Sequence, residues 1–265
     1  MTDNARDGHV IAESCSDIAV VRMSRPERRN AFDDAMIAEF VETLDRIGRT
    51  RPRVLVLTGE GPDSFSAGYD IGCMDPDQPS DRPLPDERFE PAVLAVERFP
   101  SPVVAAMNGD AFGGGLDLAL ACDFRIARRG IRVAMTPCRL GLVYAASGLK
   151  RFLGKLGGQT ARRLFLTGER IRDDEALRLS IVDELVEAGD LMGRSMDLAR
   201  TISENAPLAV SGMRRAIQGI EKGRIRDEKF LDELRELRRA AFASQDLREG
   251  LLAFNERRNP KFQGR

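Results

Sequence analysis

Three glycines, Gly113, Gly114 and Gly115, stand directly before a leucine- and alanine-rich run that carries one acid, Asp117. Glycine after a strand permits positive φ and lets a ligand atom reach the backbone, while the first turn of a helix offers unpaired N–H groups and a partial positive charge. Together they make an anion site. Phosphate is one candidate occupant, but the segment lacks the Lys-Ser/Thr of a P-loop and the spacing of G-x-G-x-x-G. The other is a carbonyl oxygen that turns negative during reaction. An enolate or tetrahedral oxyanion of a thioester would be stabilised by two N–H donors, each contributing about 3–4 kcal/mol when preorganised. "FSAGYD", residues 65–70, is a second strand-to-helix turn and the place to seek the second donor.

Positioning two such turns requires alternating strands and helices, and the chain reads as α/β. "DIAVVRMSRP" is an apolar strand closed by Pro26, and "NAFDDAMIAEFVETLDRIGRT" is a helix with Phe32, Met36, Ile37, Phe40, Val41, Leu44 and Ile47 at helical spacing. Asp33 and Asp34 suit its first turn. "RVLVLTG" reads as a buried strand, and "PVVAAMN" then "GLDLALACD" repeat the logic with a glycine turn between them; "FRIAR" and "RVAMT" follow as strands. Residues 75–91, dense in proline and charge, read as a loop, either a surface insertion or a lid beside the site. "GLKRFLGKLGG" reads as a helix whose basic residues face solvent. From Pro207 the chain is helical and charged, with Phe230, Leu231, Leu234 and Leu237 on one stripe for internal packing or a subunit contact. The expected division is a core over 1–206 and a helical region over 207–265.

Composition narrows the partners. The 265 residues hold 42 acidic against 41 basic side chains, a formal charge of -1, so no global field calls for nucleic acid or an anionic membrane. Four scattered cysteines without a C-x-x-C pair and a single histidine, His9, argue against zinc sites and Ser-His-Asp triads. No metal is expected. With no apolar run near the roughly 20 residues that span a bilayer, and no signal-like opening, a cytoplasmic protein with reduced thiols is expected.

Five stretches, "SRPERRNAF", "LTGEGPDSFSAGYD", "VVAAMNGDAFGGGLDLALACDFRIA", "LFLTGERIRDDEALRLSIVDELV" and "SQDLREGLLAFNERRNPKF", resemble in order the landmarks of the crotonase, or enoyl-CoA hydratase/isomerase, superfamily. The resemblance implies a spiral of ββα units forming two nearly perpendicular sheets, a C-terminal helical region, and a homotrimer or dimer of trimers. It implies an acyl-CoA substrate, with CoA entering as part of the thioester and no separate cofactor.

By position, the resemblance makes the backbone N–H groups of Tyr69 and Gly114 the oxyanion hole, and Arg28, Arg29, Ala31, Ala67, Asp70 and Ile71 the CoA contacts. Two glutamates orient water in family hydratases; here those positions hold Asp117 and Cys138. A thiol is a weak acceptor and no substitute for a carboxylate orienting water, so two-glutamate hydration is not expected, whereas one carboxylate can move a proton between carbons. "TPCRLGLVY" also resembles methylmalonyl-CoA decarboxylases of the superfamily, in which Tyr144 matches a site tyrosine that could orient a substrate carboxylate; that subgroup has a histidine where this chain has Tyr69. The readings are therefore an enolate-forming enzyme with Asp117 as proton donor or acceptor, a malonyl-type-CoA decarboxylase using Tyr144, or a silent acyl-CoA-binding relative.

Overall fold

The computed structural model describes residues 9–15, 17–75, 77, 79 and 83–265. Its strands are β1 (Val10–Cys15), β2 (Ile18–Met23), β3 (Val54–Gly59), β4 (Ser64–Ser66), β5 (Val103–Met107), β6 (Asp110–Phe112), β7 (Phe124–Arg128), β8 (Arg132–Ala134), β9 (Ile171–Arg172) and β10 (Glu184–Val186). The α-helices are α1 (Asp34–Thr50), α2 (Pro85–Arg98), α3 (Gly114–Ala121), α4 (Ala146–Arg162), α5 (Asp173–Arg178), α6 (Leu191–Ser203), α7 (Pro207–Glu221), α8 (Glu228–Ala243) and α9 (Gln245–Glu256).

From β3 onward the chain repeats one move: a strand in a six-stranded sheet, a short strand in a four-stranded sheet, then a helix. The sheets run β1-β2-β3-β5-β7-β10 and β4-β6-β8-β9. Successive units add in parallel, β3 to β5 to β7 in one sheet and β4 to β6 to β8 in the other, which winds the chain into a spiral of ββα units. Every residue of β3 and β5 is buried, as the near-continuous apolar runs require of parallel strands covered on both faces.

The helices lie where they can bury their stripes. Asp33 caps α1 by accepting from Met36 N–H at 2.9 Å, and the helix buries Met36, Ile37, Phe40, Leu44 and Ile47. Phe32 meets Phe40 and Phe89 edge-on, each at 5.4 Å, tying α1 to α2. In α8, Phe230 is fully buried while Leu231, Leu234 and Leu237 are half-buried. Among the described residues no helix is long and apolar enough to cross a membrane.

Two expectations are corrected. Parts of the 75–91 segment lie outside the described residues, but from Pro85 it is helical: proline at a first-turn position starts α2, the Glu87 carboxylate accepts from Leu84 N–H at 2.8 Å, and Phe89, Val93 and Val96 are buried. The basic residues of α4 also do not all face solvent. Arg151 is buried, and Lys155 turns in to donate to Cys122 O at 2.8 Å.

Candidate functional site

The two glycine-bearing turns meet at the ends of β4 and β6. Phe32 and Tyr69 form a parallel bridge in which Phe32 N–H donates to Gly68 O and Asp70 N–H donates to Phe32 O, both at 2.8 Å. This uses the groups flanking Tyr69 and turns its own N–H to the opposite side. There, Gly68 lies against the start of α3 so closely that a Cβ on it would stand 2.6 Å from Gly114 N.

The triple glycine has a separate cause at each position. Gly113 sits at φ +52°, its N–H donates to Ala134 O at 2.9 Å, and its carbonyl accepts from Leu116 and Asp117. A Cβ on Gly115 would fall 2.0 Å from Ser66 O, and one on Gly114 would strike the Phe89 ring. Gly114 N–H is thus left free at the helix N-terminus. Among the described residues neither it nor Tyr69 N–H has an acceptor.

Both residues line one cavity, with Ala67, Ile71, Met74, Leu84, Phe89, Leu140 and Tyr144 among its walls and Asp86 as the one charged residue among the described lining. The Tyr69 ring is held outside the hole itself: its hydroxyl donates to Asp34 at 3.2 Å, and Arg88, paired with Asp34, lies 5.4 Å over the ring. Burial, then the charges of Cys73, Asp33 and Asp70, raise the Tyr69 pKa, so its phenol stays protonated.

Asp117 does not line that cavity. It faces α4, only 4% exposed, and lines a small void behind Tyr144 and Phe89. Its Oδ2 accepts from Tyr144 O–H at 2.9 Å and its Oδ1 from Arg151 Nη1. Arg151 also donates through Nε to Glu97 at 2.7 Å, and Lys222, directly after α7, pairs with the same carboxylate. Burial raises the Asp117 pKa above the ordinary carboxylate value, against the pull of Arg151. Burial and the Asp117 charge push the Tyr144 phenol well up. Glu97 is lowered, because Arg151 and Lys222 outweigh its desolvation. Gly148 makes the arrangement possible: a Cβ there would stand 2.3 Å from Tyr144 Cε1 and 3.2 Å from Asp117 Oδ2.

The remaining sequence candidates divide. Ala67 and Ile71 line the cavity. Asp70 accepts from Arg25 Nη1 at 3.1 Å and from Gly72 N–H at 2.9 Å, and Arg25 also donates to the carbonyl of buried Ala31 at 3.1 Å. Arg28 and Arg29 are exposed on the adjoining turn. Cys138 is exposed beside Gly168 and Arg139, while its neighbours Thr136, Pro137 and Leu140 line the cavity. Sequence reasoning missed Arg151, Gly148, Asn30 and Arg25. Asn30, fully buried, donates to Glu60 O and Ser64 O at 3.0 and 2.7 Å and anchors the turn before Phe32. An asparagine between arginines and an apolar helix start was its available signal.

Comparison with known proteins agrees with this architecture. The enoyl-CoA hydratase/isomerase family profile matches residues 13–265. The chain is 32% identical to (E)-benzylidenesuccinyl-CoA hydratase of Thauera aromatica over 96% of this chain and 99% of that one. It is 27% identical to methylmalonyl-CoA decarboxylase of Escherichia coli over 93% and 95% of the two chains. The structure of an enoyl-CoA hydratase from Bacillus anthracis superposes with a TM-score of 0.86 at 30% identity, covering 97% of this chain and all of that one.

Proposed function

Because the chain belongs to the enoyl-CoA hydratase/isomerase family, we propose that it acts on an acyl-CoA thioester by way of an enolate whose oxygen is met by the Tyr69 and Gly114 N–H groups. The observation that carries this is that both N–H groups are unpaired on one mostly apolar cavity that Tyr144 also lines. Preorganised donors in such a cavity stabilise charge that develops only as the reaction proceeds.

Tyr144 is the proton-transfer group and Asp117 acts through it. The phenolic oxygen takes a proton from the thioester Cα as its own proton passes to Asp117 Oδ2. The C–H electron pair becomes the Cα–C double bond, and the carbonyl pair moves onto the thioester oxygen. Return of the proton to Cα restores the substrate; return to Cγ of an enoyl thioester shifts its double bond. The exposed Cys138, turned aside from the cavity, supports proton shift over two-carboxylate water addition. Ala67, Ile71, Ala31 and Asp70, with Arg28 and Arg29 on the adjoining turn, form the edge that would receive CoA, whose phosphates the two arginines would meet. The enzyme is read as cytoplasmic, a trimer or dimer of trimers through its C-terminal helices, which mass in solution tests.

Tyr144 on the cavity wall and the similarity to a methylmalonyl-CoA decarboxylase favour one second reading, loss of carbon dioxide from a malonyl-type thioester to the same enolate. Incubation with crotonyl-CoA, 3-enoyl-CoAs and methylmalonyl-CoA, followed by mass, conjugation and carbon dioxide, separates the two. Double-bond migration supports the first; carbon dioxide release supports the second. Binding of CoA esters with no turnover of any would leave a silent relative.

A further inference from the structure

The carboxylate of Asp117 has one oxygen on Tyr144 and the other on Arg151, and the second contact is as built as the first. The Arg151 side chain is 6% exposed, and its guanidinium spans two carboxylates, Nη1 on Asp117 and Nε on Glu97. Lys222 then closes the set, giving two anions and two cations in alternation. Gly148 and Arg151 stand three apart on α4, and Tyr144 lies two residues before that helix begins, so the entry to α4 delivers the phenol, a gap where a side chain would stand, and the guanidinium to the same carboxylate.

Asp117 deprived of Arg151 would be a buried anion with the Tyr144 hydroxyl as its one remaining donor, and burial favours its neutral form. A protonated Asp117 can itself donate, which reverses the hydrogen bond and leaves Tyr144 with no place to send its proton. The fork of arginine, unlike an ammonium, can hold two carboxylates at fixed angles at once.

We infer that Arg151 is a positioning residue of this site: by filling Asp117 Oδ1 it keeps Asp117 an acceptor toward Tyr144 and so fixes the direction in which the phenolic proton travels. This rests on the reading of Tyr144 and Asp117 given above. The groups that face Asp117 are Tyr144 and Arg151 from the α4 side and Asp86, Glu90 and Glu97 from α2, with Lys222, directly after α7, answering Glu97.

The test is the pH profile of deuterium incorporation at Cα of butyryl-CoA by the full chain, for wild type, Arg151→Gln, Glu97→Gln and Tyr144→Phe. Arg151→Gln is expected to move the acid limb upward by roughly one pH unit or more, as loss of an adjacent cation does for a carboxyl, with KM little changed and guanidinium ion restoring part of the shift. Glu97→Gln, which removes a negative charge near Asp117, is expected to move the limb the other way. Opposite shifts are a signature that a merely structural role would not produce. A folded Arg151→Gln protein with its limb in the wild-type position overturns the proposal; should that variant not fold, an unmoved limb in Glu97→Gln overturns it. The underlying reading fails separately, if wild type incorporates no deuterium or Tyr144→Phe keeps the full rate.

Discussion

Gly148→Ala changes one methyl group and should separate catalysis from stability. The new Cβ would stand 2.3 Å from Tyr144 Cε1, so the ring must retreat by about 1.1 Å to reach ordinary contact at 3.4 Å. The added methyl also crowds Asp117 Oδ2 at 3.2 Å. The phenolic oxygen, now 2.9 Å from that oxygen, is carried outside hydrogen-bonding range. A hydrogen bond to a charged group contributes about 1.5–3 kcal/mol, and each 1.4 kcal/mol is tenfold, so Cα–H exchange should slow by roughly 10- to 150-fold. Glycine to alanine in a helix favours the fold by up to about 1 kcal/mol, which offsets part of the crowding and keeps Tm within a few degrees. The assay is deuterium incorporation with KM measured in parallel, beside a thermal melt. A variant with wild-type Tm and an exchange rate within about twofold of wild type would refute the reasoning, because the Tyr144–Asp117 bond would then be irrelevant to proton transfer.

Other perturbations have equally definite outcomes. Gly115→Ala places a Cβ 2.0 Å from Ser66 O, forces α3 away from β4 and misaims Gly114 N–H; kcat should fall about 10²- to 10³-fold while acyl-CoA binding, measured by calorimetry, persists. Asp117→Asn removes one charged hydrogen bond from Arg151 while Glu97 still pairs with it, and should cost at most about 1.5–3 kcal/mol, read as a modestly lower midpoint in urea unfolding. Cys138→Ser, at an exposed position off the cavity, should leave kcat within about twofold of wild type in the same exchange assay. Glu97 is lowered, so its stabilisation is present above the ordinary carboxylate range and is lost as pH falls through its folded value; the stability difference between wild type and Glu97→Gln should vanish in acid. Asp117 is raised and has the opposite sign, contributing fully below the ordinary carboxylate value and losing that contribution as pH rises through its folded one.

What the sequence alone made legible was local. The periodicity of α1 named the residues it buries, and the run into Gly113, Gly114 and Gly115 named the turn and the helix start, because glycine placement and apolar spacing are properties of adjacent residues; the choice of the Gly114 N–H came from the family resemblance. Proline and charge over 75–91 misled, since the same residues that break structure elsewhere start a helix at Pro85 and Glu87. Arg151 looked like a solvated lysine-rich neighbour because its partner Asp117 lies 34 residues away and its other partner lies on α2. The direction of Cys138 in its short turn was equally hidden: a one-residue rotation there decides between cavity and surface.

The proposed chemistry turns on a thioester enolate held between the Tyr69 and Gly114 N–H groups. Its most direct measurement is mass-resolved deuterium uptake at Cα across short saturated acyl-CoAs in heavy water, for wild type and Gly115→Ala. Uptake by wild type is expected, with suppression by about two orders of magnitude or more in the variant. Tight binding of those esters by wild type with no uptake, or uptake undiminished in a folded Gly115→Ala protein, would contradict it.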